Sequence, residues 1–248
     1  MCDDRFVKVY FLPVIYGFFK SAQQIERVGG MPIINVHNTP LDSRYNRMIK
    51  RLFDIVGSLV LIVLASPHML AVAVGVRLSS DGPVIFKQRR IGFMGKPFTI
   101  LKFRSMYVTE GQDRTWSDAN DSRKTRFGAF LRRSSLDELP QLFNILKGDM
   151  SIIGPRPLLV KYLPRYNAEQ KRRHEVRPGL SGLAQVNGRN AISWEDKFKY
   201  DVEYVDHVTF LGDWKIIFQT VLNVLKRDGI SSETSVTMEE FMESEMKG

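Results

Sequence analysis

From Ile55 to Val76 the chain runs for 22 residues without a formal charge. No other stretch restricts the fold as much. As a helix it would be about 33 Å long, enough for a hydrocarbon core of roughly 30 Å. A simple transmembrane span is the first alternative, and a helix buried in a soluble core is rarely this long. Two features point to a third arrangement. Ser66-Pro67-His68 lies in mid-run, where proline removes a ladder hydrogen bond and kinks a helix. Basic residues also flank both ends: Arg44, Arg47, Lys50 and Arg51 before, Arg77, Lys87, Arg89 and Arg90 after. Positive loops favour the cytoplasm, and a true span would place one cluster outside. A helix broken at Ser66-Pro67 that enters and leaves on one face keeps both clusters inside. The Ser66 hydroxyl is then a local partner for backbone freed at the kink.

The second constraint is Ser134-Ser135-Leu136-Asp137-Glu138-Leu139-Pro140-Gln141. Two adjacent carboxylates stand among Arg123, Lys124, Arg126, Arg132, Arg133, Lys147 and Arg156. Nearby cations favour the ionised form, so both are expected to be charged at neutral pH. An ionised carboxylate serves as nucleophile, metal ligand or base, and the cations suit a substrate with several negative charges, such as a diphosphate. The plainer reading is a helix start. Ser135-x-x-Glu138 fits a capping box, Leu136, Leu139, Phe143 and Leu146 recur at helical spacing, and Gly148 is a stop. Pro140 resists that reading, because it lacks an N–H where the first intrahelical bonds should form.

The net charge of +9 implies an anionic partner: nucleic acid, lipid headgroups or a phosphorylated substrate. Cys2 is the only cysteine, which excludes a disulfide framework and a cysteine metal site. His37, His68, His174 and His207 show no ligand spacing.

Along the chain, residues 1–46 form a short lead-in. Phe11 to Phe19 is too short to cross a bilayer, no signal-peptide cleavage pattern follows it, and Met31 to Val36 reads as a strand. Residues 78–110 read as a hairpin, with Val84–Phe86 and Phe98–Phe103 as its strands. Lys102 and Arg104, two apart on one strand face, could meet the same anion; a solvated basic edge is the alternative. Residues 111–126 are a polar loop, and Phe127 to Arg133 approaches the acidic pair. In Gly154-Pro155-Arg156-Pro157 the prolines stiffen the backbone around Arg156, which suits a phosphate clamp as well as a plain turn. Residues 158–176 read as a charged helix. Arg177 to Gly182 and Asn187 to Asn190 are Gly-rich and could form a ligand loop, but neither a phosphate-loop nor a dinucleotide signature is present. Residues 195–227 read as helices, with Trp214, Ile217, Phe218, Val221, Leu222 and Leu225 on one apolar face, either core or membrane-interfacial. Residues 231–248 form an acidic tail.

Taken in order, Lys50-Arg51-Leu52-Phe53-Asp54, Ser66-Pro67, Gly82-Pro83-Val84, Lys102-Phe103-Arg104-Ser105-Met106, Leu131-Arg132, Ser135 to Pro140, Gly154 to Pro157 and Arg177-Pro178-Gly179 form an ordered set. The set resembles the bacterial sugar transferases, the monotopic phosphoglycosyl transferases that act on undecaprenyl phosphate, over residues 47–227. The resemblance implies an α+β fold: a re-entrant membrane helix at 47–77, a catalytic domain at 78–230 and interfacial amphipathic helices. Residues 1–46 resemble the end of the extra cytosolic domain of larger members, which suits either a natural short form or a truncated relative. The implied reaction moves a sugar-1-phosphate from a UDP-sugar to undecaprenyl phosphate, with release of UMP.

The roles carried over by this resemblance are specific. Asp137 is the nucleophile and forms a phosphosugar-aspartyl ester. Glu138 holds Mg²⁺ on the diphosphate, while Lys102, Arg104, Arg132 and Arg156 bind phosphate. Ser66 and Pro67 break the membrane helix. Expected partners are a UDP-sugar, undecaprenyl phosphate and membrane lipid, without nucleic acid; a homodimer is left open. The expected location is the cytosolic face of the bacterial inner membrane. Asn187 to Trp194 looks like members that use N-acetylated amino sugars, with galactose and glucose also open. The competing readings are an electrostatic membrane- or nucleic-acid-binding protein and a catalytically inactive scaffold in polysaccharide assembly.

Overall fold

A computed structural model describes residues 10–11, 25–28, 31–35, 39–107, 123–188, 192–226 and 241. The expected polar loop at 111–126 and the acidic tail lie largely outside these residues, as does the middle of the Asn187 to Trp194 stretch. Three short strands open the chain: β1 (Tyr10–Phe11), β2 (Ile25–Val28) and β3 (Met31–Asn35). They pair antiparallel in the order β1-β3-β2.

Helix α1 (Arg44–Ser79) has 36 residues and continues through Pro67. The expected interruption at Ser66-Pro67 therefore does not end the helix. Pro67 has no N–H for the carbonyl of Val63, four residues back. The Ser66 hydroxyl takes that place, donating to Val63 O at 2.8 Å. The first third of α1 is bound into the protein by its polar residues. Lys50 Nζ lies 2.6 Å from Asp213 Oδ2. Buried Asp54 accepts from Ser151 Oγ at 2.8 Å and from the Ile152 N–H at 2.9 Å. Arg51 donates to the carbonyls of Ile145 and Leu146 at 2.6 and 2.7 Å, where a cation suits the negative end of a helix. Two of the basic residues read as a membrane flank thus hold α1 to the body.

The remainder of α1 is different. Leu59, Val60, Leu61, Val63, Leu64, Leu70 and Val74 are exposed. The helix is long and apolar enough to cross a membrane, and only 11% of its most apolar window is buried in the protein.

Strands β4 (Ile85–Ile91) and β5 (Pro97–Phe103) form the expected hairpin, paired from Ile85–Phe103 to Ile91–Pro97. Next come α2 (Arg126–Arg133), a 3-10 turn (Leu136–Glu138), α3 (Gln141–Lys147) and β6 (Ser151–Ile153). The expected charged helix at 158–176 is broken into a 3-10 helix at Val160–Arg165, a short α4 (Ala168–Lys171) and another 3-10 turn. Pro164 and the Asn167 cap, which accepts from the Gln170 N–H at 2.8 Å, account for the breaks.

Strand β7 (Gly179–Ser181) pairs parallel with β6. A Cβ on Gly179 would stand 2.1 Å from Gly154 N. Both glycines therefore allow a close backbone approach, and Gly179 also borders a small cleft lined by Lys102, Glu138 and Arg156. Helices α5 (Leu183–Val186), α6 (Trp194–Asp206) and α7 (Phe210–Lys226) complete the body.

The main core joins Ile100, Leu142, Ile145, Met150, Ile153, Tyr204, Val205 and Ile216. On α7 the buried face carries Asp213 and Ile216, while Phe210, Leu211, Trp214, Phe218 and Val221 are exposed. Phe241, from the stretch read as a tail, is buried against Tyr162, Tyr166, Trp194 and Phe198.

Candidate active site

The acidic pair sits on a turn that is neither a capping box nor an ordinary helix start. Ser135 adopts a left-handed conformation at φ 56° and makes no side-chain cap. Such a conformation is uncommon for a residue with a Cβ and marks a locally strained turn. Leu136–Glu138 then form one 3-10 turn, and Pro140 begins α3 as its N-cap. The proline thus separates the acidic turn from the helix that follows. Gly148 stops α3 in the left-handed region, as expected.

Glu138 Oε1 accepts from Lys102 Nζ at 2.7 Å and from Arg156 Nη2 at 2.9 Å. Its second oxygen has no hydrogen-bond partner among the described residues. Burial works against the charged form, but the Arg156 guanidinium and the Lys102 ammonium outweigh it and hold the carboxyl well below its usual range. Asp137 behaves in the opposite way. It is buried and makes no hydrogen bond or ion pair among the described residues. Burial raises its carboxyl above the usual range, and the opposing pull of Lys102, Arg132 and Arg156 does not cancel this. At Glu138 the surrounding cations outweigh burial. For Asp137, desolvation is the stronger influence.

Lys102 and Arg156 are brought to Glu138. Arg132 is near enough to lower the Asp137 carboxyl and is held by a 3.0 Å hydrogen bond from its Nε to Ser105 Oγ. Arg104 is not brought there. It lies beyond the end of β5, is buried, and donates to the carbonyls of Pro83 at 2.7 Å, Ser80 at 2.5 Å and Val76 at 3.4 Å. It ties the end of α1 to the hairpin. Its placement corrects the expectation that Lys102 and Arg104 share one face toward the same anion.

The small cleft in front of Glu138 is lined further by Arg90, Ile100, Gln141, Pro157 and Gly179, of which Arg90 and Gln141 bring polar side chains. Arg90 lies on the same hairpin face as Lys102, as the pairing of Phe86 with Lys102 and of Arg90 with Phe98 requires. Its guanidinium donates twice to Gln88 Oε1, and burial followed by repulsion from Arg156 lowers its pKa to about 10. Gln141 is 2% exposed, and its Nε2 has no partner among the described residues. An unpaired buried amide costs stability, and this one borders the cleft. Recognising Arg90 requires the hairpin register. Gln141 requires knowing that Pro140, not Ser135, begins the helix.

The donors fit a magnesium ion, which takes oxygen ligands and commonly uses one or two carboxylates beside substrate phosphates. The second oxygen of Glu138, which lines the cationic cleft, and the carboxylate of the adjacent Asp137 are uncommitted among the described residues. Among the described residues no group of three or more acidic, histidine or cysteine side chains forms a complete metal cage.

The model of one family, described as bacterial sugar transferase, matches residues 45–227. The chain belongs to this family. Within it, the sugar transferase is 50% identical over 195 residues to the uncharacterized sugar transferase EpsL of Bacillus subtilis (strain 168). That alignment covers 78% of this chain and 96% of the Bacillus protein. It is 41% identical over 242 residues to a UDP-glucose:undecaprenyl-phosphate glucose-1-phosphate transferase of Escherichia coli (strain K12), covering 89% of this chain and 52% of that protein. It is 38% identical over 213 residues to an undecaprenyl-phosphate galactose phosphotransferase of Salmonella typhimurium, covering 79% of this chain and 44% of that protein. The sugar transferase thus spans about half the length of these two relatives.

Proposed function

We propose that this sugar transferase moves a sugar-1-phosphate from a UDP-sugar to undecaprenyl phosphate through a covalent intermediate on Asp137. The observation that carries the reading is the asymmetry of the acidic pair. Glu138 is held by two cations, whereas Asp137 is buried and, among the described residues, unpaired. A carboxylate stripped of water and fixed partners is poised to attack.

In the first step an Asp137 carboxylate oxygen bonds to the β-phosphorus of the UDP-sugar. The bond from that phosphorus to the bridging oxygen breaks, and UMP leaves with the bond's electron pair. In the second step a phosphate oxygen of the lipid attacks the same phosphorus. The ester to Asp137 breaks, giving undecaprenyl-diphosphate-sugar and the free carboxylate. Lys102, Arg132 and Arg156 balance the phosphate charge, and Gln141 Nε2 offers a further donor. Magnesium, held by Glu138, would shield the anionic nucleophile from the anionic donor.

The names of the E. coli and Salmonella relatives support glucose and galactose as donor sugars. The stretch from Asn187 to Trp194 supports an N-acetylated amino sugar, so the donor panel must contain all three. The exposed apolar part of α1 and the exposed Phe210, Trp214 and Phe218 of α7 suit a body resting on the cytosolic face of the inner membrane. Pro67 suits a helix that turns back to that face.

The test is UMP release from UDP-glucose, UDP-galactose and UDP-N-acetylated amino sugars by detergent-solubilised protein, with and without Mg²⁺ and undecaprenyl phosphate. Metal- and lipid-dependent turnover of one donor is expected, with loss in Asp137→Asn of at least about 10³-fold. Full activity of Asp137→Asn would remove the nucleophile assignment. Silence from folded wild-type protein on every donor would favour the scaffold reading.

A further inference from the structure

Strand β5 separates two regions of opposite character. Ile100 and Lys102 face the cationic cleft, whereas the alternate residues Leu101 and Phe103 face a groove of about 430 Å³ on the other side. The groove's far wall is α1, which contributes Ser66, Met69 and Ala73 at helical spacing. Cleft and groove approach each other at the start of α3, next to the acidic turn, where Gln141 lines the first and Pro140 the second.

We propose that this groove holds the isoprene units nearest the phosphate of the acceptor lipid. The inference rests on the polyprenyl phosphate reading above and adds where that lipid lies. The lining is hydrocarbon apart from Ser66, and the Ser66 hydroxyl is engaged by Val63 O. A polar ligand segment would lose its water there without compensation. One end of the groove adjoins the exposed apolar part of α1; the other reaches Pro140, two residues after Glu138, to which Lys102 and Arg156 are bonded beside Asp137. The matching occupant is a hydrocarbon chain with one anionic head. A bilayer phospholipid shares the hydrocarbon, but only the polyprenyl phosphate carries a head that must reach Asp137. The donor then enters from the polar side and the acceptor from the apolar side, without crossing each other's path.

Filling the groove tests this. In Ala73→Phe the KM for undecaprenyl phosphate should rise at least tenfold, while exchange of labelled UMP into the UDP-sugar, which needs no acceptor, reports the first step separately. An unchanged KM, or equal loss of exchange and transfer, would overturn the groove assignment. Failure of exchange in the wild type would instead count against the reaction itself. Should the variant not fold, photolabelling of wild-type protein with a benzophenone-bearing prenyl phosphate decides the matter. Labels on residues 66–73 or Phe143 that undecaprenyl phosphate competes away are expected. Labels elsewhere, or labels in the groove that phospholipid displaces equally well, would contradict the proposal.

Discussion

Two clusters in this molecule pair an arginine with a carboxylate, and they differ in how far they are closed to solvent. In the first, Arg173 and Asp201 are sealed, with side chains 2% and 3% exposed. Arg173 places Nε and Nη2 on Asp201 Oδ2 at 3.0 and 2.7 Å, and also donates to Tyr166 Oη and to Arg156 O. In the second, Glu138 binds Lys102 and Arg156, but the Arg156 side chain is 49% exposed. Beside it, among the described residues, stand an unpaired carboxylate at Asp137 and an unpaired Nε2 at Gln141. The first cluster is closed to solvent, with Arg173 committed to internal contacts and only Asp201 Oδ1 left unpaired among the described residues; the second borders a cleft lined by Lys102, Glu138, Gln141 and Arg156. They are linked: the 2.8 Å bond from Arg173 to the Arg156 carbonyl fixes the backbone that presents Arg156 to Glu138.

This difference can be broken at several points. The largest effect on catalysis is expected at Arg156. Arg156→Met, which keeps bulk but removes the charge at the open cluster, should lower UMP release about 10²-fold or more, with little change in melting temperature. Arg173→Met should show the reverse emphasis. Leaving Asp201 buried and unpaired costs about 3–5 kcal/mol, read by denaturant unfolding, and activity should fall by less than in Arg156→Met. Equal destabilisation by both substitutions would erase the distinction between the clusters. The smallest effect is expected at Gln141. Gln141→Met removes an unpaired buried amide, so stability should hold or rise by about 1 kcal/mol, while activity falls roughly tenfold if the amide meets substrate. Unchanged activity in that variant would return Gln141 to the packing of α3.

Much of the open cluster is legible in the sequence. The adjacency of Asp137 and Glu138, their basic neighbourhood and the disruptive Pro140 all point to an unusual turn, and the prolines around Arg156 point to a fixed arginine. The hairpin and the mid-helix Ser66-Pro67 pair are legible for the same reason, since proline and turn residues act locally. What sequence cannot supply is the point where a local pattern ends. Alternation places Lys102 and Arg104 on one face only while the strand lasts, and β5 ends at Phe103. Asp137 and Glu138 have the same formal surroundings, yet only folding decides which one receives the cations and which one bears the burial. On α7 apolar residues occupy both faces, so periodicity alone leaves Ile216 inside and Phe218 outside undistinguished.

The central claim is that Asp137 becomes covalently bonded to the phosphosugar. Its most direct test is the intact mass of the protein after incubation with the active UDP-sugar and Mg²⁺, without lipid acceptor and with rapid acid quench. The account predicts a mass increase equal to one sugar-phosphate, located on the peptide containing Asp137, lost on addition of undecaprenyl phosphate and absent in Asp137→Asn. Turnover with no adduct under any quench, or an adduct that persists in Asp137→Asn, would contradict it.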